Sequence, residues 1–291
     1  MFNLYEYFSS KFNKEFILFI KNNLQLDSNL NNLSHNKLIT ISDVNNNSDI
    51  EWNYNYLSMN SSIKINDIKE NMDKPWNYEL LSGNSSININ FVNDNLDKDW
   101  LFRRLSRNPS ITSNDFKNNP ELNWCFYWAS INPSMDFSFI KENLDKNWEF
   151  MYLSENPCIT WEIIINNPEI NWDFDSLSMN PSINDLIVKN NINAAWNFAG
   201  LSGNPSITYK LVKEYPNKEW DYDELSENPN ITFWDVKDNL DAPWNFDYLS
   251  KNSNITFKII KDNSNLPWNL DMFSSNKSLN FKIVEKNKNY N

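Results

Sequence analysis

Residues 196–208 read WNFAGLSGNPSIT, and close variants of this stretch return every 24 residues along most of the chain. The Trp recurs at ten equally spaced places: Trp52, Trp76, Trp100, Trp124, Trp148, Trp172, Trp196, Trp220, Trp244 and Trp268. With this Trp as position one, position seven is Ser and position nine is Asn in eleven successive stretches. A fixed period between about 20 and 50 residues is typical of repeat proteins, whose copies pack on their neighbours.

The period divides the 291 residues into two segments. Residues 28–291 hold eleven repeats, which begin at residues 28, 52, 76, 100, 124, 148, 172, 196, 220, 244 and 268. Residues 1–27 match the pattern only in part, with Ile20 and Asn23 at the places of Val44 and Asn47. We therefore predict a degenerate N-terminal capping segment followed by a repeat array.

Apolar residues within one repeat follow a helical spacing. They fall at positions one, three and six, and again at twelve, fourteen and seventeen, which approximates steps of three residues rather than strict alternation. This spacing predicts two short helices per repeat and an all-α solenoid. A parallel β-helix is the alternative, because aligned Asn residues and a fixed period also occur there. The scarcity of Gly, with three in the chain, and the Pro in the turns favour the helices.

Polar residues of the repeat predict where these helices begin and end. Thr at position thirteen, as in Thr160, precedes an apolar run and suits the N-cap of the second helix. Asn at position nine, often followed by Pro, predicts that the first helix ends in a left-handed residue, and Asn at position twenty predicts the same for the second. Asp at position twenty-two, as in Asp73, is expected near the N-terminus of the next first helix, which we expect to begin at the Trp.

Charge and composition exclude several classes of function. Thirty-eight acidic against 26 basic side chains give a net charge of −12, which opposes nucleic acid binding. Cys125, Cys158 and the single His35 are too few for a disulfide framework or a Cys/His zinc site, so we expect no metal. No Gly-rich phosphate loop occurs, and we expect no cofactor.

The N-terminal sequence also bears on location. Its best apolar run, residues 16–20, is too short for a signal segment or a membrane span. We therefore expect a cytoplasmic protein that does not insert into membranes.

No catalytic residue is predicted. The eleven repeated Ser hydroxyls are expected to bond backbone carbonyls as part of the scaffold. His35 lacks the surroundings of a catalytic triad, and we expect it at the surface. Asp221, Asp223 and Glu224 are interpreted as a solvated acidic edge, although a carboxylate pair or a divalent-ion site is the functional alternative.

A binding surface is predicted at the variable positions of the repeat. The ten periodic Trp are expected in the core, whereas Trp128 and Trp234 lie at positions that elsewhere hold charged residues. Positions four, five and eight of three successive repeats combine the only three Arg of the chain with aromatic and apolar residues, the type of group found at binding hot spots. These candidate residues are Arg103, Arg104, Arg107, Tyr127, Trp128, Ile131 and Tyr152.

The pattern W-N-F-x-x-L-S-x-N-P-x-I-T, as in residues 196–208, resembles the tandem repeats of proteins from mimivirus-like giant viruses. The resemblance covers about nine-tenths of the chain and implies the cytoplasm of a host cell, or the virion, as the location. It brings no catalytic or ligand-binding residue with it. The repeat from residue 124 departs from the pattern, with Ala129 where Leu is usual.

These observations together predict a non-catalytic scaffold or adaptor that binds a protein partner through its variable positions. The three Arg make an acidic segment the expected ligand. The alternative function is a structural component of a viral particle or assembly site, which predicts self-association.

Overall fold

The computed structural model describes residues 33–279 together with residues 15, 17 and 18. These residues form short helices joined by turns, and none of them lies in a β-strand. The chain divides into two compact units, Met1–Glu149 and Phe150–Asn291, here called the N-terminal and C-terminal units. In the N-terminal unit the helices are α1 (Ile41–Asn46), α2 (Tyr54–Met59), α3 (Ile65–Glu70), α4 (Tyr78–Leu81), α5 (Ile89–Asn93), α6 (Phe102–Ser106), α7 (Ser113–Asn118), α8 (Phe126–Ala129) and α9 (Phe137–Glu142).

In the C-terminal unit the helices are α10 (Phe150–Glu155), α11 (Trp161–Asn166), α12 (Phe174–Met179), α13 (Asp185–Asn190), α14 (Phe198–Gly203), α15 (Tyr209–Glu214), α16 (Tyr222–Glu227), α17 (Phe233–Lys237), α18 (Phe246–Lys251), α19 (Phe257–Asp262) and α20 (Leu270–Phe273). Each repeat from residue 52 to residue 267 contributes a first helix, with an even number, and a second helix, with an odd number; α1 is the second helix of the repeat from residue 28, and α20 is the first helix of the repeat from residue 268. First helices of successive repeats contact one another within each unit, as α12 contacts α14 and α14 contacts α16. The prediction of an all-α repeat solenoid is confirmed.

The core is built from the repeated apolar positions. In the repeat from residue 172, Leu177, Ile183 and Val188 each have 0% of their surface exposed. Leu177 comes from the first helix, Val188 from the second and Ile183 from the turn between them. Helices of four to six residues are far too short to be stable alone, so this burial between repeats is what stabilises them.

The first helix begins two residues after the Trp, and our prediction that it begins at the Trp is wrong. Its N-cap is position two, where Asp173, for example, accepts a hydrogen bond from the Ser176 N–H. Asp at position twenty-two therefore lies too many residues before the first helix to contact its N-terminus. At that place Asp97 instead forms an ion pair with the adjacent Lys98, with 2.7 Å between Nζ and Oδ2.

The periodic Trp side chains join successive repeats. Seven of the ten are buried, as predicted, whereas Trp124, Trp220 and Trp268 are half-buried. Trp196 is 7% exposed, and its indole Nε1 donates to the backbone carbonyl of Asn191 at 2.8 Å. The aromatic residue at position three of the preceding repeat, Phe174, packs on Trp196 with 5.5 Å between ring centroids and an interplanar angle of 66°. Edge contacts of this kind add to the stabilisation that burial gives.

Asn at position nine does not end the first helix in a left-handed conformation, since no described residue has a positive φ angle. Asn180 has φ −66° and ψ 124°, and its side chain is fully buried. Its Nδ2 donates to the carbonyls of Ser154 at 2.7 Å, Asn156 at 2.9 Å and Ile159 at 3.0 Å. Asn180 is the C-cap of α12, as are Asn60, Asn204, Asn228 and Asn252 of their first helices, so the predicted helix end is confirmed there. The predicted left-handed conformation is wrong, because the amide bonds to the preceding repeat, where it satisfies buried carbonyls.

The repeated Ser has a second inter-repeat role beside the predicted one. The Ser178 hydroxyl donates to the Phe174 carbonyl at 2.8 Å, which is the bond expected from the sequence. The same oxygen accepts the backbone N–H of Asn197 in the next repeat at 2.9 Å. Ser178 and its equivalents from Ser34 to Ser250 are buried, whereas Ser274 is exposed. The buried hydroxyl thus links the end of one first helix to the start of the next.

The second helix follows the prediction at its N-terminus. Thr160 accepts a hydrogen bond from the Ile163 N–H, and Thr40, Thr112 and Thr232 take part in capping boxes with an Asp three residues later. Its C-cap is position twenty in most repeats, as expected, but without the left-handed conformation: Asn191 has φ −128° and ψ 37°. The Asn191 side chain instead donates to the Ile187 carbonyl at 2.8 Å.

The predicted division between residues 1–27 and 28–291 stays a prediction. Apart from residues 15, 17 and 18, the capping segment lies outside the described residues, and so do Ile20 and Asn23.

Candidate protein-binding surface

The variable face of each repeat is formed by positions four, five and eight of the first helix. In the repeat from residue 100 these positions are Arg103 and Arg104 of α6 and Arg107, the C-cap of that helix, whereas the intervening Leu105 and Ser106 are fully buried. Arg103 and Arg107 are exposed and Arg104 is half-buried. Leu105 and Ser106 anchor the helix, which therefore presents the three guanidinium groups outward on a fixed frame.

The three Arg side chains have no carboxylate partner among the described residues. Arg104 lies beside Gly83, which occupies position eight of the preceding repeat. A Cβ atom added to Gly83 would be 3.8 Å from Nη1 of Arg104. The guanidinium groups are thus available to a ligand from outside the repeat array.

Aromatic side chains of α8 adjoin the Arg cluster, as the sequence predicted. The guanidinium carbon of Arg107 lies 5.1 Å from the centroid of the Trp128 ring, within the range of a cation–π contact. Tyr127 packs edge-on against Trp128, with 5.3 Å between centroids and an angle of 80°. Tyr127 is 39% exposed and Ile131 is 36% exposed.

The structure therefore brings Arg107, Trp128 and Tyr127 into one chain of contacts. Arg103 and Ile131 occupy exposed positions of the same two repeats. Tyr152 belongs to α10 in the C-terminal unit, where it is half-buried at position five of its own repeat.

A pocket of about 340 Å³ lies directly beside this surface. Tyr127 lines it, together with Trp124, Cys125, Phe126, Asp145, Lys146 and Asn147. A second cavity, of about 740 Å³, shares Trp124, Phe126 and Lys146 with the first and is also lined by Phe116 and Phe139. The two cavities give the N-terminal unit an aromatic groove that begins at Tyr127.

The groove lies at the repeat from residue 124, which departs from the pattern. Of the two unusual residues in this region, Ala129 and Phe116, sequence analysis identified only the first. Ala129 was recognised as the unusual residue at position six. Phe116 was missed, although it is the only Phe at position seventeen of any repeat. Its ring stacks on Trp124 with 4.2 Å between centroids and an angle of 20°.

Residues considered for catalysis are placed as follows. His35 is exposed and packs edge-on against Tyr56, with 5.8 Å between centroids. Cys125 and Cys158 are half-buried, and neither forms a disulfide within the described part of the chain. The Asp221 carboxylate caps α16 by accepting the N–H groups of Asp223 at 2.8 Å and Glu224 at 3.1 Å.

The described part of the chain contains no group of three His, Cys, Asp or Glu side chains that could hold a metal ion. None of its helices has the length and apolar composition that crossing a membrane requires. No protein-family model, curated protein or solved structure matches the chain.

Shifts in pKa with an identified cause belong to the scaffold. Burial, followed by a hydrogen bond with Tyr222, raises the pKa of Tyr209. Partial burial favours the neutral form of Asp136, but hydrogen bonds from Ser138, Phe139 and Ser113 lower its pKa overall. These groups cap helices or pack between repeats.

The two most exposed large apolar side chains of the described residues lie outside this surface. Trp234 in α17 is 66% exposed, and the Lys237 ammonium lies 5.2 Å from the centroid of its ring. Leu186 in α13 is 65% exposed. Both occupy position fifteen, at the start of the second helix rather than on the first.

Proposed function

We propose that this protein is a non-catalytic scaffold or adaptor that binds a protein partner through its basic–aromatic surface, defined here as Arg103, Arg104, Arg107, Tyr127 and Trp128. The observation that carries the proposal is the exposed Arg107 guanidinium stacked on Trp128, next to Tyr127 and its pocket. The repeated residues are used in the core and in bonds between repeats, whereas these residues differ from their equivalents elsewhere.

The composition of the surface supports protein binding. Trp, Tyr and Arg are the residues most enriched at interface hot spots, because they combine large contact areas with hydrogen-bonding groups. Ser106 and Ala129, which adjoin Arg107 and Trp128 in sequence, are buried and hold the backbone in place. The contact between the Arg107 guanidinium and the Trp128 ring restricts both side chains, which lowers the entropy lost on binding. The adjacent pocket offers a recess for an apolar side chain of the partner.

The charge of the surface favours an acidic ligand. Three Arg side chains without carboxylate partners can each form paired hydrogen bonds with a carboxylate. The chain as a whole has a net charge of −12, so an acidic partner is attracted locally and repelled at a distance. We therefore propose a segment with clustered Asp or Glu, and binding that weakens as salt is added. We place this interaction in the cytoplasm.

Capture of partners tests this function. The intact protein and a variant carrying Arg103→Glu, Arg104→Glu and Arg107→Glu are recovered from the cells that make them, and bound proteins are identified by mass spectrometry. We expect a specific partner that the variant loses, since reversal turns attraction into repulsion.

The matched control carries Lys210→Glu, Lys258→Glu and Lys261→Glu on exposed faces of second helices. Each triple variant replaces three positive charges by three negative ones, so both change the net charge from −12 to −18. Retention of the partner by the control and its loss from the Arg variant supports the proposal. Equal capture by the Arg variant and the unmodified protein contradicts it.

A further inference from the structure

Two first helices of this chain carry opposite charges at the same three positions. Positions four, five and eight are Arg103, Arg104 and Arg107 in the repeat from residue 100. In the repeat from residue 220, five repeats later, they are Asp223, Glu224 and Glu227. Asp223, Glu224 and Glu227, here called the acidic patch, are all exposed. Because both helices belong to the same repeat fold, the two sets of charges are presented in the same geometry.

The residues that flank the two sets are also equivalent. Position eight of the preceding repeat is Gly83 beside Arg104 and Gly203 beside Glu224, and the chain contains only three Gly. A Cβ atom at Gly203 would lie 2.8 Å from Oε2 of Glu224, so any larger residue would displace that side chain. Each charged set therefore lies next to a recess of its own.

The acidic patch continues along the following repeats. Asp247 and Asp271 occupy position four of the next two repeats and are exposed. Asn245 Nδ2 donates to Asp223 Oδ1 at 2.8 Å, and Asn269 Nδ2 donates to Asp247 Oδ1 at 2.8 Å. These bonds hold successive carboxylates in a row. The acidic patch has no Lys or Arg ion-pair partner among the described residues.

We infer that the acidic patch of one copy of this chain binds the Arg cluster of the basic–aromatic surface on a second copy. The inference rests on the proposed function, because it names a ligand for the same surface. Arg103, Arg107 and the acidic patch are exposed, and neither charged set has an ion-pair partner within the described residues. Arg–carboxylate pairs have a favourable bidentate geometry. The contact joins different surfaces of two copies, so it is head-to-tail and can extend beyond a dimer.

Self-association of the full chain is measured by sedimentation equilibrium at protein concentrations up to about 200 µM, near the weak range expected for exposed ion pairs. We expect the average mass to rise with concentration at about 50 mM salt and to return to that of a monomer at about 500 mM, where screening is nearly complete beyond a few ångströms. A strict monomer at low salt overturns the inference.

Charge exchange tests whether the two patches are the ones that bind. One variant carries Arg103→Glu, Arg104→Glu and Arg107→Glu, and the other carries Asp223→Lys, Glu224→Lys and Glu227→Lys. Each variant alone presents like charges at the contact, so we expect its self-association constant to fall by at least about tenfold. An equimolar mixture presents opposite charges at both contacts between unlike copies, so we expect association to return.

The controls reverse the same number of charges elsewhere. The control for the first variant carries Lys210→Glu, Lys258→Glu and Lys261→Glu. The control for the second carries Glu169→Lys, Glu219→Lys and Asp241→Lys. Both controls should associate with themselves, and circular dichroism establishes that every variant is folded. A mixture of the exchanged variants that stays monomeric overturns the inference.

The two proposals fail in different ways. A monomeric chain that still loses a captured partner in the Arg variant removes the inference and leaves the scaffold function. Self-association through these patches without any other captured protein keeps the inference and replaces the scaffold function by that of a structural component.

Discussion

Asn180 has no exposed surface, and both ends of its side-chain amide are hydrogen-bonded. Its two Nδ2 hydrogens are shared among three carbonyls of the preceding repeat, and its Oδ1 accepts the Ser182 N–H at 2.8 Å. Equivalent bonds are made by Asn108 and Asn228 within their own units. At the residue scale, this buried amide is the most specific link between neighbouring repeats, because only Asn places two donors and an acceptor at this distance from the backbone.

Asn180→Asp should therefore destabilise the protein strongly, although the side chain keeps its shape. A carboxylate would face three carbonyl oxygens in a buried site, and we expect a loss of about 3 kcal/mol or more in the free energy of unfolding. Urea unfolding followed by circular dichroism measures this loss. Asn171→Asp, at an exposed position, introduces the same charge and should change stability by less than about 0.5 kcal/mol. Similar losses for the two variants would contradict the assigned role of Asn180.

The sequence showed that position nine is constant but not what the residue does. The carbonyls that Asn180 contacts belong to residues 154, 156 and 159, which come within reach only after two repeats have stacked. Local turn chemistry, the basis of our prediction, concerns residues that are close in sequence. The role of Thr160 as a cap could be predicted from local sequence, because its partner Ile163 is only three residues away.

At the scale of the element, the first helices share one N-cap conformation but not one cap residue. Asn77 at position two has φ −94° and ψ 102°, and its side chain accepts from the Leu80 N–H. Cys125 has nearly the same conformation, with φ −108° and ψ 97°, but makes no side-chain capping bond. Helix α8, which supplies Tyr127 and Trp128 to the proposed surface, thus begins without the cap that most equivalent helices have.

Cys125→Asn should stabilise the protein by about 1 kcal/mol, because Asn is among the best N-cap residues and the backbone is already in the required conformation. The midpoint of urea unfolding should rise accordingly. Cys125→Ala is the matched control: it removes the thiol without adding an acceptor, so its midpoint should stay below that of the Asn variant. Equal midpoints for the two variants would show that the cap does not form.

Second helices of neighbouring repeats are linked by exposed ion pairs. Lys189 in α13 and Glu214 in α15 lie 2.7 Å apart, measured between Nζ and Oε2. The hydrogen bond from Lys189 lowers the pKa of Glu214. A lowered pKa in the folded state means that the pair stabilises the fold at neutral pH, and that this contribution is lost as the pH falls through the pKa of Glu214.

Lys189→Gln should raise the pKa of Glu214 toward its ordinary value, as measured by NMR titration of the side-chain carboxyl carbon. Lys210 also lowers this pKa, but more weakly and without a hydrogen bond. Lys210→Gln should therefore produce a smaller upward shift. A larger shift with Lys210→Gln than with Lys189→Gln would show that the ion pair does not form in solution.

At the scale of the whole molecule, the 24-residue period was sufficient to predict a helical solenoid. The contacts between side chains on the variable face could be identified only from the structure. The stacking of Arg107 on Trp128 joins position eight of one repeat to position five of the next. That neighbour relation depends on how first helices pack, which the period alone does not give. The groove lined by Phe116 and Trp124 likewise depends on several residues, in two adjoining repeats, that differ from their equivalents in other repeats.

The repeats of the C-terminal unit are linked by the same bonds at each step, so removal of one whole repeat should be tolerated. Without residues 172–195, Trp196 follows Asn171, and Asn204 can donate to the Ser154 and Asn156 carbonyls that Asn180 otherwise uses. We expect a folded protein with unchanged helical signal per residue, and a urea m-value lower by roughly a tenth because less surface is exposed on unfolding. Deletion of residues 172–183, half a repeat, brings unlike positions together and should unfold or aggregate the C-terminal unit. If both deletions fold equally well, stability does not depend on the 24-residue register.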